Sequence, residues 1–173
     1  PYAVKNPKKR QLHKFPGMTL SVYQLRPESL GSIHIQSPDA SDQPAINFNF
    51  LTDPIDRDAM IAGFKKIREI MNTKAMRDIR GEEFSPGTEV KTDDEILSFI
   101  RNTAETAYHP IGTCRMGNGP ESVVNERLKV HGLEGLRVAD GSIMPTMVSG
   151  NTNAACIMIG EKASEMIKQD NPT

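Results

Sequence analysis

The stretch Leu136-Arg137-Val138-Ala139-Asp140-Gly141-Ser142-Ile143-Met144-Pro145, followed by Ser149-Gly150-Asn151-Thr152-Asn153-Ala154-Ala155, decides how the chain is read. Residues 136–139 are apolar enough for a short buried strand, Asp140-Gly141 is a turn directly after it, and 154–168 has the spacing of a helix with Ile157, Ile159, Ala163, Met166 and Ile167 inward. Strand, glycine turn and helix in that order make a piece of an α/β layer; alone, it leaves an apolar strand without neighbours. A helix start presents unpaired backbone N–H groups and about half a positive charge, so 151–155 is a place for an anion or for a group that becomes anionic during a reaction. Gly141, directly after the strand, lets the backbone approach a ligand closely. Taken separately, Asn151 to Asn153 also fit a plain N-cap cluster and Asp140-Gly141 a plain turn. Taken together, the two suit an extended cofactor with phosphate at one end and a ring that gains negative charge at the other.

Upstream lies the second polar centre, Tyr108-His109-Pro110-Ile111-Gly112-Thr113-Cys114-Arg115-Met116-Gly117. Proline after His109 removes a backbone donor and biases the histidine toward extended geometry, while Gly112 and Gly117 permit turns that other residues resist. An imidazole on such stiff loop backbone is a candidate general base near neutral pH. Cys114 nearby admits a thiol-hydrolase reading with Asn153 orienting His109, against which stands the common case of a small buried thiol. His13 and His131 have no partner legible in the sequence.

Before this centre, Thr92-Asp93-Asp94-Glu95 fits a capping box opening a helix with Ile96, Leu97, Phe99 and Ile100 apolar. Asp53-Pro54 predicts the start of a longer amphipathic helix reaching about Asn72, with Ile55, Met60, Ile61, Phe64, Ile67, Ile70 and Met71 on its apolar stripe. Alternation predicts half-buried strands at Met18, Leu20 and Val22, at Ile33 and Ile35 around an outward His34, and at Ile46, Phe48 and Phe50. Residues 1–16, with Pro1, Pro7 and Pro16 among lysines, read as an irregular lead-in. Val123-Val124 and 128–130 read as short extended pieces.

The 173 residues are enough to bury a continuous core. Twenty-one basic against 22 acidic residues leave a formal charge of −1, which gives no electrostatic reason to expect nucleic acid or an anionic membrane as partner. Lys5, Lys8, Lys9 and Arg10 make one basic run, read as a solvated end. No apolar run reaches the ~18 residues of a membrane span. Two well-separated cysteines form neither a disulfide framework nor a metal cluster, so no metal and a reducing, cytoplasmic setting are expected.

These motifs also carry a resemblance. The segments His109-Pro110-Ile111-Gly112-Thr113-Cys114-Arg115-Met116-Gly117, 136–145 and 149–154 closely resemble the C-terminal region of glucose–methanol–choline oxidoreductases, nearest to choline dehydrogenase-like alcohol dehydrogenases. Gly31-Ser32-Ile33 and Asp53-Pro54-Ile55-Asp56, with Gly63 and Arg68-Glu69-Ile70, are similar to the preceding segment, so the resemblance runs over about residues 25–168. It implies that His109 takes the proton of the substrate hydroxyl and that Asn153 is the second active-site position. It implies that Asp140 and Gly141 contact flavin adenine dinucleotide (FAD), and that the helix start at Asn151, Thr152, Asn153, Ala154 and Ala155 faces the flavin pyrimidine. The activity implied is oxidation of a CH–OH group to a carbonyl.

The fingerprint G-x-G-x-x-G that seats the dinucleotide in that family does not occur in these residues. The resemblance therefore implies an α+β C-terminal portion: residues 1–130 mostly a substrate-binding domain, an antiparallel sheet with flanking amphipathic helices, and 131–173 the returning strand and helix of an absent FAD-binding domain. Its partners would be that domain and a small-molecule alcohol. The chain alone is expected to bind FAD weakly or not at all, to turn over nothing, and to self-associate through apolar surface within 143–159. The alternative is a non-catalytic binding or assembly module in which the motifs are relics. Nothing in the motifs selects among choline, aliphatic, aromatic and polymeric alcohols.

Overall fold

A computed structural model describes residues 2–6, as backbone, and 11–172. The chain forms two compact units, one of Pro1–Gln24 with Pro54–Glu105 and one of Leu25–Asp53 with Thr106–Thr173.

In the first unit, β1 (Tyr2–Asn6) and β2 (Gln11–Pro16) pair antiparallel, with Val4 opposite Leu12 and irregular register on either side. The lead-in is thus a hairpin, not irregular chain; of the basic run, Lys8, Lys9 and Arg10 lie outside the described residues. Pro16 misled the reading because it stands at the end of β2, where a missing donor is tolerated. His13, without a partner in the sequence, sits 4.7 Å from the Phe15 ring and 5.0 Å from Phe84.

Helix α1 (Pro54–Met71) begins on its proline, which needs no N–H at the first helical position. Helix α2 (Asp93–Thr103) carries the capping box: Thr92 Oγ1 accepts from the Glu95 N–H, and Glu95 Oε2 accepts from the Thr92 N–H at 2.9 Å and from the Lys91 N–H. Ile61 of α1 and Ile96 and Ile100 of α2 are buried, and Phe64 meets Phe99 edge to face at 6.0 Å. Arg68 lies over the Phe64 ring, grips Glu83 with two nitrogens, and donates to the carbonyls of Gly87 and Val90. That one guanidinium fastens the turn-rich segment before α2 onto α1. Ile55 and Ile70 are exposed, so the stripe on α1 is narrower than the sequence pattern drew it.

The strand expected at 18–22 does not form. Val22 instead packs on α1 over Gly63, where a Cβ would stand 2.5 Å from the valine Cγ2.

In the second unit, β3 (Ser32–His34) pairs antiparallel with β4 (Ala45–Asn47), Ile33 opposite Ile46. Both strands are there, but shorter and more exposed than expected; Ile33, Ile46, Phe48 and Phe50 all face solvent. A two-stranded ribbon of this length cannot cover its own face. The core of this unit is Val124, Leu128, Ile143, Met144, Ile159 and Ala163, with Val138 and Met166 against it. Helix α3 (Asn153–Asp170) gives it one stripe, while Ile157, at 60 % exposure, Met158 and Ile167 point away, correcting the inward placement of Ile157 and Ile167.

Residues 136–139 are not a strand. They are held by single bridges, Lys129 to Arg137 and the Val138 N–H to the Leu128 carbonyl at 3.1 Å. Their apolar character serves the core through Val138, while Leu136 is exposed. The short extended pieces at 123–124 and 128–130 do bridge to one another. Among the described residues no helix is long and apolar enough to cross a membrane.

Candidate active site

His109 comes to its place through a stitched loop. Tyr108 sits at φ +59°, a left-handed conformation that costs a non-glycine residue roughly 1–2 kcal/mol. Gly112 follows at φ +82°. The Cys114 N–H then donates to the Ser142 carbonyl at 3.0 Å and the Met116 N–H to the Ile143 carbonyl at 2.8 Å. These two bonds fix the histidine loop to the 3-10 turn Gly141–Ile143.

That turn is closed from within. Asp140 Oδ1 accepts from the Ser142 N–H at 2.7 Å, and the Ser142 side chain and N–H together hold the Asp140 carboxyl below its ordinary range. A Cβ on Gly141 would lie 3.2 Å from Cys156 Sγ and 3.9 Å from the Pro110 carbonyl oxygen. Glycine there lets the turn close onto the first turns of α3 and onto the histidine loop. The histidine loop and the turn after residue 139 are therefore packed together, with Cys156 of α3 close to Gly141.

The half-buried imidazole ends against α3: His109 Nδ1 is 3.1 Å from Thr152 Oγ1. Nε2 makes no hydrogen bond among the described residues. Thr152 is the N-cap residue of α3, yet at φ −77°, ψ −11° its side chain caps no backbone N–H of the helix, and the first turn carries no acid. Helix geometry leaves the N–H groups of Asn153, Ala154 and Ala155 without intrahelical acceptors; the first intrahelical bond runs from the Cys156 N–H to the Thr152 carbonyl. Asn151, Asn153 and Ala154 are exposed and Ala155 is half buried. The result is a bare, positively polarised helix start beside a histidine with one nitrogen held and one open.

Asn153 is on the same turn, but Thr152 is the residue that bonds the ring. In the thiol-hydrolase reading, Asn153 would hold His109 and Cys114 would face the other nitrogen; the partner of the ring nitrogen that is held is Thr152. Cys114 and Cys156 are both half-buried free thiols. No metal-binding group of His, Cys, Asp or Glu occurs among the described residues. His131, the other histidine without a legible partner, places Nε2 2.9 Å from the Gly117 carbonyl oxygen.

Two features escaped the sequence reading. The link from Thr152 to His109 had a readable trace: Thr92 is followed three residues later by Glu95, which completes a cap, and Thr152 by Ala155, which cannot. At the other end of α3, Asp170 accepts from Lys129 Nζ at 2.8 Å, from Arg127 Nη2 at 2.6 Å and from Arg137 Nη2. These cations, Lys129 and Arg127 foremost, hold its carboxyl far below the usual carboxylate range. Arg127 also donates to the Met166 carbonyl. An acid in the last turn of a helix opposes the macrodipole, and that alone signals a specific cationic partner.

The sequence model of the family described as GMC oxidoreductase matches residues 27–160. The alcohol dehydrogenase [acceptor] of Pseudomonas putida is 50% identical over 151 residues, 87% of this chain and 27% of its own length. An oxygen-dependent choline dehydrogenase of Escherichia coli is 47% identical over 152 residues, 88% of this chain and 27% of its own. Among solved structures, pyridoxine 4-oxidase from Mesorbium loti superposes with a TM-score of 0.79 at 32% identity, covering 84% of this chain and 28% of that one. The chain thus spans about a quarter of the length of the curated relatives it matches.

Proposed function

The chain belongs to the GMC oxidoreductase family, and we propose that within a flavin-loaded protein it supplies the proton acceptor and part of the flavin seat for oxidation of an alcohol to a carbonyl. The α+β fold and the family's FAD-dependent CH–OH chemistry agree with this reading. The observation that carries it is the hydrogen bond between the His109 ring and the residue that opens α3.

The donor set fits a flavin. An N-terminus that the Thr152 side chain does not cap and whose first turn carries no acid is suited to a ring that becomes anionic on reduction. The residues that would hold FAD are the backbone at Asp140 and Gly141 and the helix start Asn151, Thr152, Asn153, Ala154 and Ala155. When bound there, FAD would supply the hydride acceptor for the alcohol carbon. His109 Nε2 removes the hydroxyl proton, so the electron pair left on oxygen becomes the second carbonyl bond as the carbon gives up its hydride. Asn153, exposed on the first turn, orients the substrate oxygen and transfers no proton.

In this reading residues 1–130 belong mostly to the substrate side and 131–173 return to the flavin side. The exposed apolar residues Ile157 and Met158 on α3 and the bare face of the β3–β4 ribbon are covered by the remainder of the protein. Ile143, Met144 and Ile159 are already in the core, which narrows the apolar surface expected within 143–159. The substrate is a small-molecule alcohol, the class to which the names of both relatives point.

The test is His109→Ala in the flavin-loaded protein, mixed anaerobically with an alcohol that it oxidises. Flavin reduction is expected to slow by about 100-fold to 10,000-fold with flavin content unchanged, the range of a lost general base. Reduction at the wild-type rate would remove His109 from the chemistry.

A further inference from the structure

The hydroxyl of Thr152 presents a puzzle that the proposed activity does not absorb. A threonine in the N-cap position ordinarily turns its oxygen back onto the N–H of the second or third helical residue, worth about 1 kcal/mol. Thr152 does not; its oxygen lies on His109 Nδ1 at 3.1 Å. At φ −77°, ψ −11° its backbone is already helical, so the hydroxyl is turned away from its own helix and onto one specific ring nitrogen.

The two nitrogens of a neutral imidazole cannot both carry the proton. If Nε2 bears it, the open edge of His109 is a donor and cannot take a hydroxyl proton. If Nδ1 bears it, Nε2 is a lone pair. The partner on Nδ1 therefore decides whether the ring is a base on its open side.

We propose that Thr152 is a positioning residue that accepts the Nδ1–H of His109, fixing the tautomer and the ring plane so that Nε2 stands as the proton acceptor. A hydroxyl suits this role because its oxygen accepts through a lone pair and stays neutral in both protonation states of the ring. It also leaves the first-turn N–H groups of α3 unclaimed by a side chain, so one contact orients the base and keeps the helix start bare. The inference rests on His109 being the proton acceptor, and the experiment separates the two.

Thr152→Val removes the oxygen at nearly constant shape, and Thr152→Ser restores it. In the flavin-loaded protein, Thr152→Val is expected to slow flavin reduction by about 10-fold to 100-fold, the range of a mispositioned catalytic group, with KM and flavin content changed less than ~3-fold. Thr152→Ser should stay within ~3-fold of wild type, and adding Thr152→Val to His109→Ala should cost nothing further, since the two act through one ring. A second readout needs no turnover. Nitrogen-15 resonances of labelled histidine, with His109 assigned by its absence in His109→Ala, should show Nδ1 as the protonated, pyrrole-type nitrogen in the wild type. A pyridine-type Nδ1, a wild-type rate in Thr152→Val, or a Thr152→Ser variant as slow as Thr152→Val would each overturn the proposal. A normal rate in His109→Ala would instead bring down the base assignment beneath it.

Discussion

Two helices of this molecule open on threonine, and they open differently. Thr92 closes a complete capping box with Glu95, and Asp93, Asp94 and Glu95 fill the first turn of α2 with the charge that a helix dipole favours. Thr152 closes nothing on its own helix, and the first turn of α3 holds no acid. A helix start optimised for stability looks like the first. The second has neither the cap bond nor the first-turn charge that support the first, because the backbone of Thr152 is already helical and its hydroxyl lies on His109.

The contrast can be broken by making the second start resemble the first. Ala154→Glu would place a carboxylate on the exposed first turn of α3, where it favours the helix and repels an anionic ring. Flavin retention is expected to weaken by about 10-fold, in keeping with charge–dipole effects of up to ~2 kcal/mol. Equilibrium dialysis of the flavin measures it; undiminished retention would show that the helix start does not serve the cofactor. Stripping the cap from the first start gives a smaller effect of another kind. Thr92→Ala should destabilise the protein by about 0.5–2 kcal/mol in thermal denaturation while leaving flavin reduction unchanged.

The smallest effect is one of pH. The Glu95 carboxyl is held below its ordinary value chiefly by the Thr92 N–H, then by the Lys91 N–H. A depressed folded value means that its contribution is fully present above pH 4.5, the ordinary glutamate value, and is lost as pH falls through the folded one. The melting temperature of wild type minus that of Glu95→Gln should therefore shrink as pH drops below 4.5. A difference that stays level with pH would mean that the box is held by geometry and not by charge.

Much of this was legible because helices announce their ends locally. Pro54, the Thr92 box and the turn before α3 all act within a few residues of themselves, and α1, α2 and α3 stand close to where the pattern put them. Strands need partners that a sequence does not name. The alternation at 18–22 was spent against α1 at Gly63, and the apolar run at 136–139 was spent on a core contact through Val138. At the site, motif order identified His109 and the turns around α3, and Ala155 marked Thr152 as lacking a capping-box partner, but the ring that Thr152 meets lies a long stretch of chain away and is named only by folding.

The knot at Asp170 gives α3 a mechanical property. The helix runs for 18 residues, about 27 Å at 1.5 Å per residue, clamped at its far end by Arg127, Lys129 and Arg137 and touching His109 at its near end. Between those ends Ile159 and Ala163 are buried in the core, so the rod is braced along its length as well as at its tip. The hydroxyl that meets the imidazole thus stands on a braced beam, set in place by the packing of the whole helix and not by its opening turn alone.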